Sequence, residues 1–281
     1  MAIAPARARR PGADTPRIPP LQPGELGECP FCEGREDRTP PEVFALPEEG
    51  REPDTPGWTV RVVPNLYPAL ERQEVVVHSP EHVRSFAELG SQQIQAVAAA
   101  WQRRAELAGR EGFSYVHAII NEGRQAGASL PHSHSQLVWL REPPPEVVRE
   151  QPRLAEGECA LCGLLAEQRS GGPLLVAERS GVTILAAPAG RAPYELLIAG
   201  EHGASGFGDA FLVAALGLVA KGIGRLHDLE GLVPWNAWLH DGAHPHFEIV
   251  PRLTVFAGLE LGAGIYVNAL APEEAAARLR D

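Results

Sequence analysis

No apolar run in this sequence approaches the roughly eighteen residues expected of a membrane helix. The opening stretch, Met1-Ala2-Ile3-Ala4-Pro5-Ala6-Arg7-Ala8-Arg9-Arg10-Pro11, lacks an apolar segment of signal-peptide length. A cytoplasmic chain without membrane association is therefore expected. Positive charge is also scarce: 25 Lys and Arg stand against 36 Asp and Glu, a net charge of −11 at pH 7. That balance argues against nucleic acid or an anionic membrane surface as partner. It leaves room for a phosphorylated small molecule, which a few local Arg, amide or imidazole groups can hold. Methionine occurs once and cysteine four times. The apolar fraction of 44% and charged fraction of 22% are those of a soluble globular protein. Its 281 residues allow one large domain or two of ordinary size.

What is present is concentrated in cysteine and histidine. The four cysteines form two C-x-x-C pairs, Cys29/Cys32 and Cys159/Cys162. In a reducing compartment such pairs point to a metal or a redox dithiol before a structural disulfide. No apolar strand precedes Cys29-Pro30-Phe31-Cys32, which sets aside the thioredoxin-like reading and favours metal. Each pair opens the same order of punctuation. Cys29-x-x-Cys32 is followed by Ser79-Pro80-Glu81-His82 and then His132-Ser133-His134-Ser135-Gln136. Cys159-x-x-Cys162 is followed by Ala199-Gly200-Glu201-His202 and then His244-Pro245-His246-Phe247-Glu248. The gaps are 53 and 50 residues in the first half, 43 and 42 in the second. With only ten histidines this parallel spacing marks an internal repeat.

The stretches between these marks suit a duplicated α+β unit. Short β-branched runs at 61–63 and 74–78 predict strands. Residues 91–109 carry apolar positions at Ile94, Val97, Ala98, Trp101, Ala105 and Leu107, an amphipathic helix with Ser91 as its cap. Residues 113–121 and 133–140 read as two strands around a Gly-rich bend. The second half repeats the pattern, with strands at 182–186, 194–198, 235–239 and 246–250 and a helix at 209–227. Pro143-Pro144-Pro145 separates the halves, placed at 1–150 and 151–281, and a further helical stretch follows it. Strands parted by one long helix and then paired as a hairpin predict antiparallel sheet flanked by helices, not a doubly wound sheet.

A structural zinc takes four thiolate or imidazole ligands in a tetrahedron. Cys29, Cys32, His82 and His132 supply one such set; Cys159, Cys162, His202 and His244 offer a second. Four protein ligands leave no open position, so the metal's expected role is to staple the N-terminal loop to the strand that carries His134. In an extended chain residues 132, 134 and 136 share one face. Imidazole is a good nucleophile toward phosphorus when one nitrogen is free and the other donates to a fixed acceptor. Gln136 can donate to oxygens that gain charge in a transition state, where Asp or Glu would repel them. Asn121 and Ser129 are further neutral groups suited to phosphate oxygens.

The run Gly127-Ala128-Ser129-Leu130-Pro131-His132-Ser133-His134-Ser135-Gln136 resembles the active-site signature of the galactose-1-phosphate uridylyltransferase family, a branch of the histidine-triad superfamily. Cys29-Pro30-Phe31-Cys32-Glu33-Gly34, Thr39-Pro40-Pro41-Glu42 and Arg61-Val62-Val63-Pro64-Asn65-Leu66-Tyr67-Pro68 are similar to it too. So are Val77-His78-Ser79-Pro80-Glu81-His82, Phe247-Glu248-Ile249-Val250-Pro251-Arg252-Leu253 and Gly264-Ile265-Tyr266-Val267-Asn268. The resemblance implies a zinc-containing transferase of galactose and carbohydrate metabolism working by ping-pong. His134 would attack the α-phosphorus of UDP-glucose and pass the uridylyl group to galactose 1-phosphate, with Gln136 holding the phosphoryl oxygens. It implies that Arg7 and Arg10 hold the nucleotide and that Asn121 and Ser129 contact phosphate. It also implies a homodimer.

Some members carry an iron-type site where Glu150, His240, His244 and His246 fall; others carry a second zinc where Cys159, Cys162, His202 and His244 fall. Both sets claim His244, so only one is expected to fill, and the thiolate set is preferred because soft ligands hold zinc well. The pattern departs in two places. A strand is expected before Ala4-Pro5-Ala6-Arg7, yet the chain begins almost on that motif. The active strand reads His-Ser-His-Ser-Gln where familiar uridylyltransferases have His-Pro-His-Gly-Gln, and the Ser form occurs in relatives that use ADP-glucose and phosphate. Uridylyl transfer is the leading expectation and ADP-glucose phosphorolysis the alternative. A zinc-stapled nucleotide-binding protein without turnover is the alternative of another class.

Overall fold

The computed structural model describes residues 1–9, 16–155, 157 and 159–280. Its strands in chain order are β1 Ala2–Ile3, β2 Phe44–Leu46, β3 Val60–Pro64, β4 Arg72–Val77, β5 Tyr115–Glu122 and β6 His134–Leu140, then β7 Leu175–Arg179, β8 Val182–Ala186, β9 Leu196–Ala199, β10 Trp235–His240, β11 His246–Pro251 and β12 Val267–Asn268. The α-helices are α1 Glu25–Glu28, α2 Ser91–Arg110, α3 Pro145–Leu154, α4 Ala160–Arg169, α5 Asp209–Glu230, α6 Gly258–Ala263 and α7 Pro272–Arg280.

Ten strands join in one antiparallel sheet of order β2-β3-β4-β6-β5-β10-β11-β9-β8-β7. Read inward from either edge, the pattern is the same: three strands laid down in sequence, then the fifth strand of the set exchanged with the fourth at the centre. The two five-strand sets meet where β5 pairs with β10, Asn121 opposite Asn236. The fold is thus α+β with a large antiparallel sheet.

The two-residue period of a strand gives the sheet two different faces. Val76, Ser135, Ile120, Ala237, Ile249 and Leu196 form one continuous cross-strand row. This face is covered by α2 and α5 and holds the main core. Ile94, Val97, Ala98 and Trp101 of α2 are buried there, at the spacing the sequence predicts. Arg104 is buried with them because it forks onto Glu74 of β4, Nε to Oε2 at 2.9 Å and Nη2 to Oε1 at 2.7 Å. Helix α5 is long and apolar enough, by length and composition alone, to cross a bilayer. Twelve of its residues are buried in the fold, and it packs on α2, β8 and β9 as a core helix. The adjacent row, Val75, Gln136, Ile119, Trp238 and Glu248, lies on the opposite face. That face carries the chemistry.

The strands and long helices fall close to their expected limits, with three differences of detail. Gly90, not Ser91, occupies the N-cap of α2, and no side chain caps it. Edge strands β2 and β7 are too short or too mixed in polarity to stand out from composition. Ala2–Ile3 pairs in parallel with β12 as a separate two-stranded sheet, rather than extending the main one.

Candidate active site

His134 opens β6 with its ring buried beneath Phe31, ring centroids 5.4 Å apart. Its Nδ1–H donates to the backbone carbonyl of His132 at 2.7 Å. That bond fixes the tautomer and leaves Nε2 with its lone pair. Burial lowers the His134 pKa, partly offset by the carbonyl that favours the protonated ring, so the imidazole is held neutral. Two residues on, the carbonyl oxygen of Gln136 accepts from the Gln73 amide, and from Asn65 Nδ2 at 3.5 Å. Among the described residues no acceptor takes the Gln136 NH2 hydrogens, so these remain to donate to a ligand. Asn121 is oriented in the same way: Asn236 Nδ2 donates to its Oδ1 at 2.7 Å and to the Ala126 carbonyl at 2.7 Å. Ser129 is exposed on the loop before β6, and Arg7 is exposed on the 3-10 turn Pro5–Arg9. Arg10 lies outside the described residues.

The loop before β6 is tight because of Gly123. Its φ is +84°, and a Cβ there would sit 2.8 Å from Pro234 Cβ. This turn brings the chain back across β10 and sends residues 132–136 along the sheet face.

Cys29, Cys32, His82 and His132 come together with their ligand atoms within 4.8 Å of one another. His132 Nδ1 is 3.4 Å from Cys29 Sγ and 3.7 Å from Cys32 Sγ; His82 Nδ1 is 3.3 Å from Cys32 Sγ. Tetrahedral zinc bonds imply S···N separations of roughly 3.6 Å. The outer nitrogens are also engaged, His132 Nε2–H on the Ser79 carbonyl at 2.9 Å and His82 Nε2–H on Glu25 at 3.0 Å, as metal-bound imidazoles require. The donor set fits a structural zinc.

A second cluster repeats this geometry. His244 Nδ1 is 3.2 Å from Cys159 Sγ and 3.6 Å from Cys162 Sγ, and its Nε2–H donates to the Gly200 carbonyl at 3.0 Å. The His202 and His244 rings stand edge to face at 5.4 Å and 86°, as His82 and His132 do at 5.2 Å and 88°. His202 Nδ1 is a ligand atom buried without a hydrogen-bond partner, which a metal at this position would satisfy. A third group, Glu150, His240 and His246, lies on the same face of the sheet. His240 Nδ1 and His246 Nε2 are 2.9 and 3.7 Å from Glu150 Oε2. His246 Nδ1–H donates to the His244 carbonyl at 2.9 Å, the relation that His134 has to His132.

Comparison with known proteins places the chain among sugar-nucleotide enzymes by likeness. The sequence model for galactose-1-phosphate uridyl transferase, N-terminal domain, matches residues 68–144. An ADP-glucose phosphorylase of Arabidopsis thaliana is 28% identical, over 99% of this chain and 89% of its own length. The crystal structure of an Arabidopsis thaliana ADP-glucose phosphorylase with bound ADP-glucose superposes with a TM-score of 0.82 at 27% identity, covering 99% of this chain and 94% of that one. Over residues 68–144 the chain carries the sequence of a galactose-1-phosphate uridyl transferase N-terminal domain, and over its whole length it is similar to sugar-nucleotide transferases and phosphorylases. A galactose-1-phosphate uridylyltransferase of Thermotoga maritima is 24% identical over 93% of this chain and 91% of its own. A uridylyltransferase structure superposes with a TM-score of 0.74 at 26% identity, over 93% and 92% of the two chains.

In this chain the expected competition for His244 does not arise. His244 faces the thiolates, while Glu150, His240 and His246 gather without it, so the two groups are spatially separate. The sequence hides this because His240, His244 and His246 are close in number but lie on a hairpin and its turn. The Ser form of the active strand also finds a local reason. Ser133 and Ser135 hydroxyls bond the two ring nitrogens of buried His78, each at 2.9 Å, and Trp101 Nε1–H donates to Ser135 at 2.8 Å. Ser135 thus faces the helices rather than the ligand face.

Several residues of the site escape sequence reasoning. Gln73 and Asn236 come from neighbouring strands, and only the register brings them to Gln136 and Asn121. The Thr39/Glu42 motif has a clearer logic. Arg61 Nε bonds Glu42 at 2.9 Å and Nη1 bonds Thr39 at 2.7 Å, tying the N-terminal loop to β3.

Proposed function

We propose that this protein is a sugar-nucleotide nucleotidyltransferase that forms a nucleotidyl intermediate on His134 Nε2. The observation that carries this reading is the Nδ1–H bond from His134 to the His132 carbonyl beside the uncommitted NH2 of Gln136. In the first step His134 Nε2 bonds to the α-phosphorus, the α-phosphorus–oxygen bond to the leaving sugar 1-phosphate breaks, and that oxygen carries away the electron pair. Gln136 NH2 donates to an α-phosphoryl oxygen as its charge grows. In the second step an acceptor phosphate oxygen attacks the α-phosphorus and the phosphorus–nitrogen bond breaks, returning neutral His134.

Adenylyl transfer from ADP-glucose to phosphate, giving ADP and glucose 1-phosphate, is the reading we favour. Likeness to an ADP-glucose phosphorylase over 99% of the chain supports it. Uridylyl transfer between UDP-glucose and galactose 1-phosphate is the second reading, supported by the likeness to the Thermotoga maritima enzyme. Cys29, Cys32, His82 and His132 would hold one zinc, and Cys159, Cys162, His202 and His244 a second, each as a closed structural staple. Four free thiols in these clusters suit a reducing cytoplasm. The like order of the two strand sets supports descent of residues 1–150 and 151–281 from one duplicated unit. Val255 and Leu261, 75% and 76% exposed, supply apolar surface for a homodimer contact.

The test is to incubate the purified protein with ADP-glucose and, separately, UDP-glucose, quench at alkaline pH and weigh the intact chain. An adenylyl adduct lost in His134→Ala supports the favoured reading. A uridylyl adduct alone moves the assignment to the second. No adduct from either would sink the covalent mechanism and leave a nucleotide-binding protein without turnover.

A further inference from the structure

On the helix-covered side of the sheet, away from His134, a cavity of about 420 Å³ opens between α5, the end of β7 and the start of α2. Three cations line it: Arg179, Lys221 and Arg225. Arg179 ends β7 and lays its guanidinium on the α5 backbone. A Cβ at Gly217 would lie 2.9 Å from its Nη1, so the guanidinium tip rests against the bare glycine. Lys221 and Arg225 follow Gly217 at intervals of four, so all three positions share one face of α5. Ser91 and Gln95, from the first turn of α2, line the cavity too, and no side chain caps that helix start.

What distinguishes these cations is that three of them gather at one cavity without a carboxylate partner. Arg72, Arg141 and Arg278 on the surface all reach carboxylates, Glu111, Glu71 and Glu274. Among the described residues Arg179, Lys221 and Arg225 have no ion-pair or hydrogen-bond partner; Asp228, further along the cavity wall, reaches none of them. In a chain of net charge −11, gathering three unpaired cations at one cavity raises its local potential against the trend of the whole surface. A dianion with several acceptor oxygens would neutralise them with charge-assisted hydrogen bonds. The hydroxyl of Ser91 and the amide of Gln95 supply neutral donors beside it.

We propose that Arg179, Lys221 and Arg225 form a binding site for a small phosphorylated metabolite, distinct from the nucleotide site and independent of the function proposed above. The dianionic phosphate sits among the three cations and the remainder of the molecule extends toward Asp228, whose carboxylate accepts from a hydroxyl.

Lys221 makes this site directly readable, because it is the only lysine in the chain. Pyridoxal 5′-phosphate forms an imine with its amine, losing water, and borohydride then reduces the imine to a stable secondary amine. Peptide mapping separates this label from the one on the α-amino group of Met1. Lys221 should react with pyridoxal 5′-phosphate about tenfold more readily than with pyridoxal, which lacks the phosphate, and pyrophosphate should protect it. Both effects should disappear in Arg179→Gln/Arg225→Gln and persist in His134→Ala. Equal labelling by the two aldehydes, absence of protection, or effects unchanged in the double variant would overturn the site. Loss of protection in His134→Ala would assign the anion effect to the nucleotide site and overturn it as well.

Discussion

His132 turns its Nδ1 toward Cys29 Sγ at 3.4 Å while its backbone carbonyl accepts the Nδ1–H of His134 at 2.7 Å. One residue therefore serves the thiolate cluster with its side chain and the proposed nucleophile with its backbone. Whatever fixes His132 in place also sets the tautomer and direction of His134. The cluster and the His134 ring are therefore mechanically coupled.

The first prediction follows from that coupling. Cys32→Ser should lower bound zinc by one equivalent and slow formation of the His134 adduct by about 10- to 100-fold. Metal analysis and intact-mass kinetics on the same preparation check it, with far-UV circular dichroism showing that the sheet persists. Loss of zinc without any change in the adduct rate would mean that the loop is not what positions His134.

A second prediction separates the proposed phosphoryl-holding group, Gln136, from its support. Gln136→Ala should reduce kcat by about 10²–10³, the usual cost of removing a donor aimed at developing negative charge. Gln73→Leu removes only the donor that holds the Gln136 carbonyl oxygen. It should cost about tenfold, in kcat rather than KM, because the NH2 of Gln136 then loses its direction but not its presence. An equal loss in both variants would show that Gln73 contacts substrate itself.

Much of this was legible in the sequence, for identifiable reasons. Cysteine and histidine are rare, so the spacing of Cys29, Cys32, His82 and His132 carried information, and the duplicate set repeated it. Ile94, Val97 and Trp101 marked α2 because helical periodicity is strong over twenty residues. What stayed hidden depends on cross-strand register or on backbone atoms. Nothing near Gln73 in sequence points to Gln136, 63 residues away. The carbonyl of His132 is invisible to any reading of side chains. The separation of His244 from His240 and His246 needed the β10–β11 turn to be folded.

That separation makes a third prediction. Cadmium bound at Cys159 and Cys162 gives a thiolate charge-transfer absorption that Cys162→Ser should reduce by the share of one site. Glu150→Gln should leave the absorption unchanged, since Glu150 belongs to the group with His240 and His246. If Glu150→Gln also stripped cadmium from the thiolates, the two groups would share an ion and His244 with it.

The last prediction concerns stability and pH. Glu122 ends β5 fully buried on the helix side, accepting the Phe86 amide at 2.8 Å. Burial pushes its carboxyl up from 4.5 to about 7, because the amide bond only partly compensates the lost hydration of the charged form. Below pH 4.5 the group is protonated in both folded and unfolded chains and costs nothing. As pH rises toward 7 the unfolded chain releases the proton while the folded chain retains it, so stability falls. Above pH 7 both are ionised and the penalty levels off, at an order of magnitude of ~3 kcal/mol. Glu122→Gln keeps an acceptor for the Phe86 amide and cannot ionise, so it escapes this loss. The melting temperature of the variant, relative to the parent, should therefore rise by about 5 °C between pH 5 and pH 8.5. All other titrating groups are common to the two chains and cancel in the difference. Parallel melting curves at the two pH values would show that Glu122 ionises in the folded protein without penalty, and that the core beneath His134 is wetter than its packing implies.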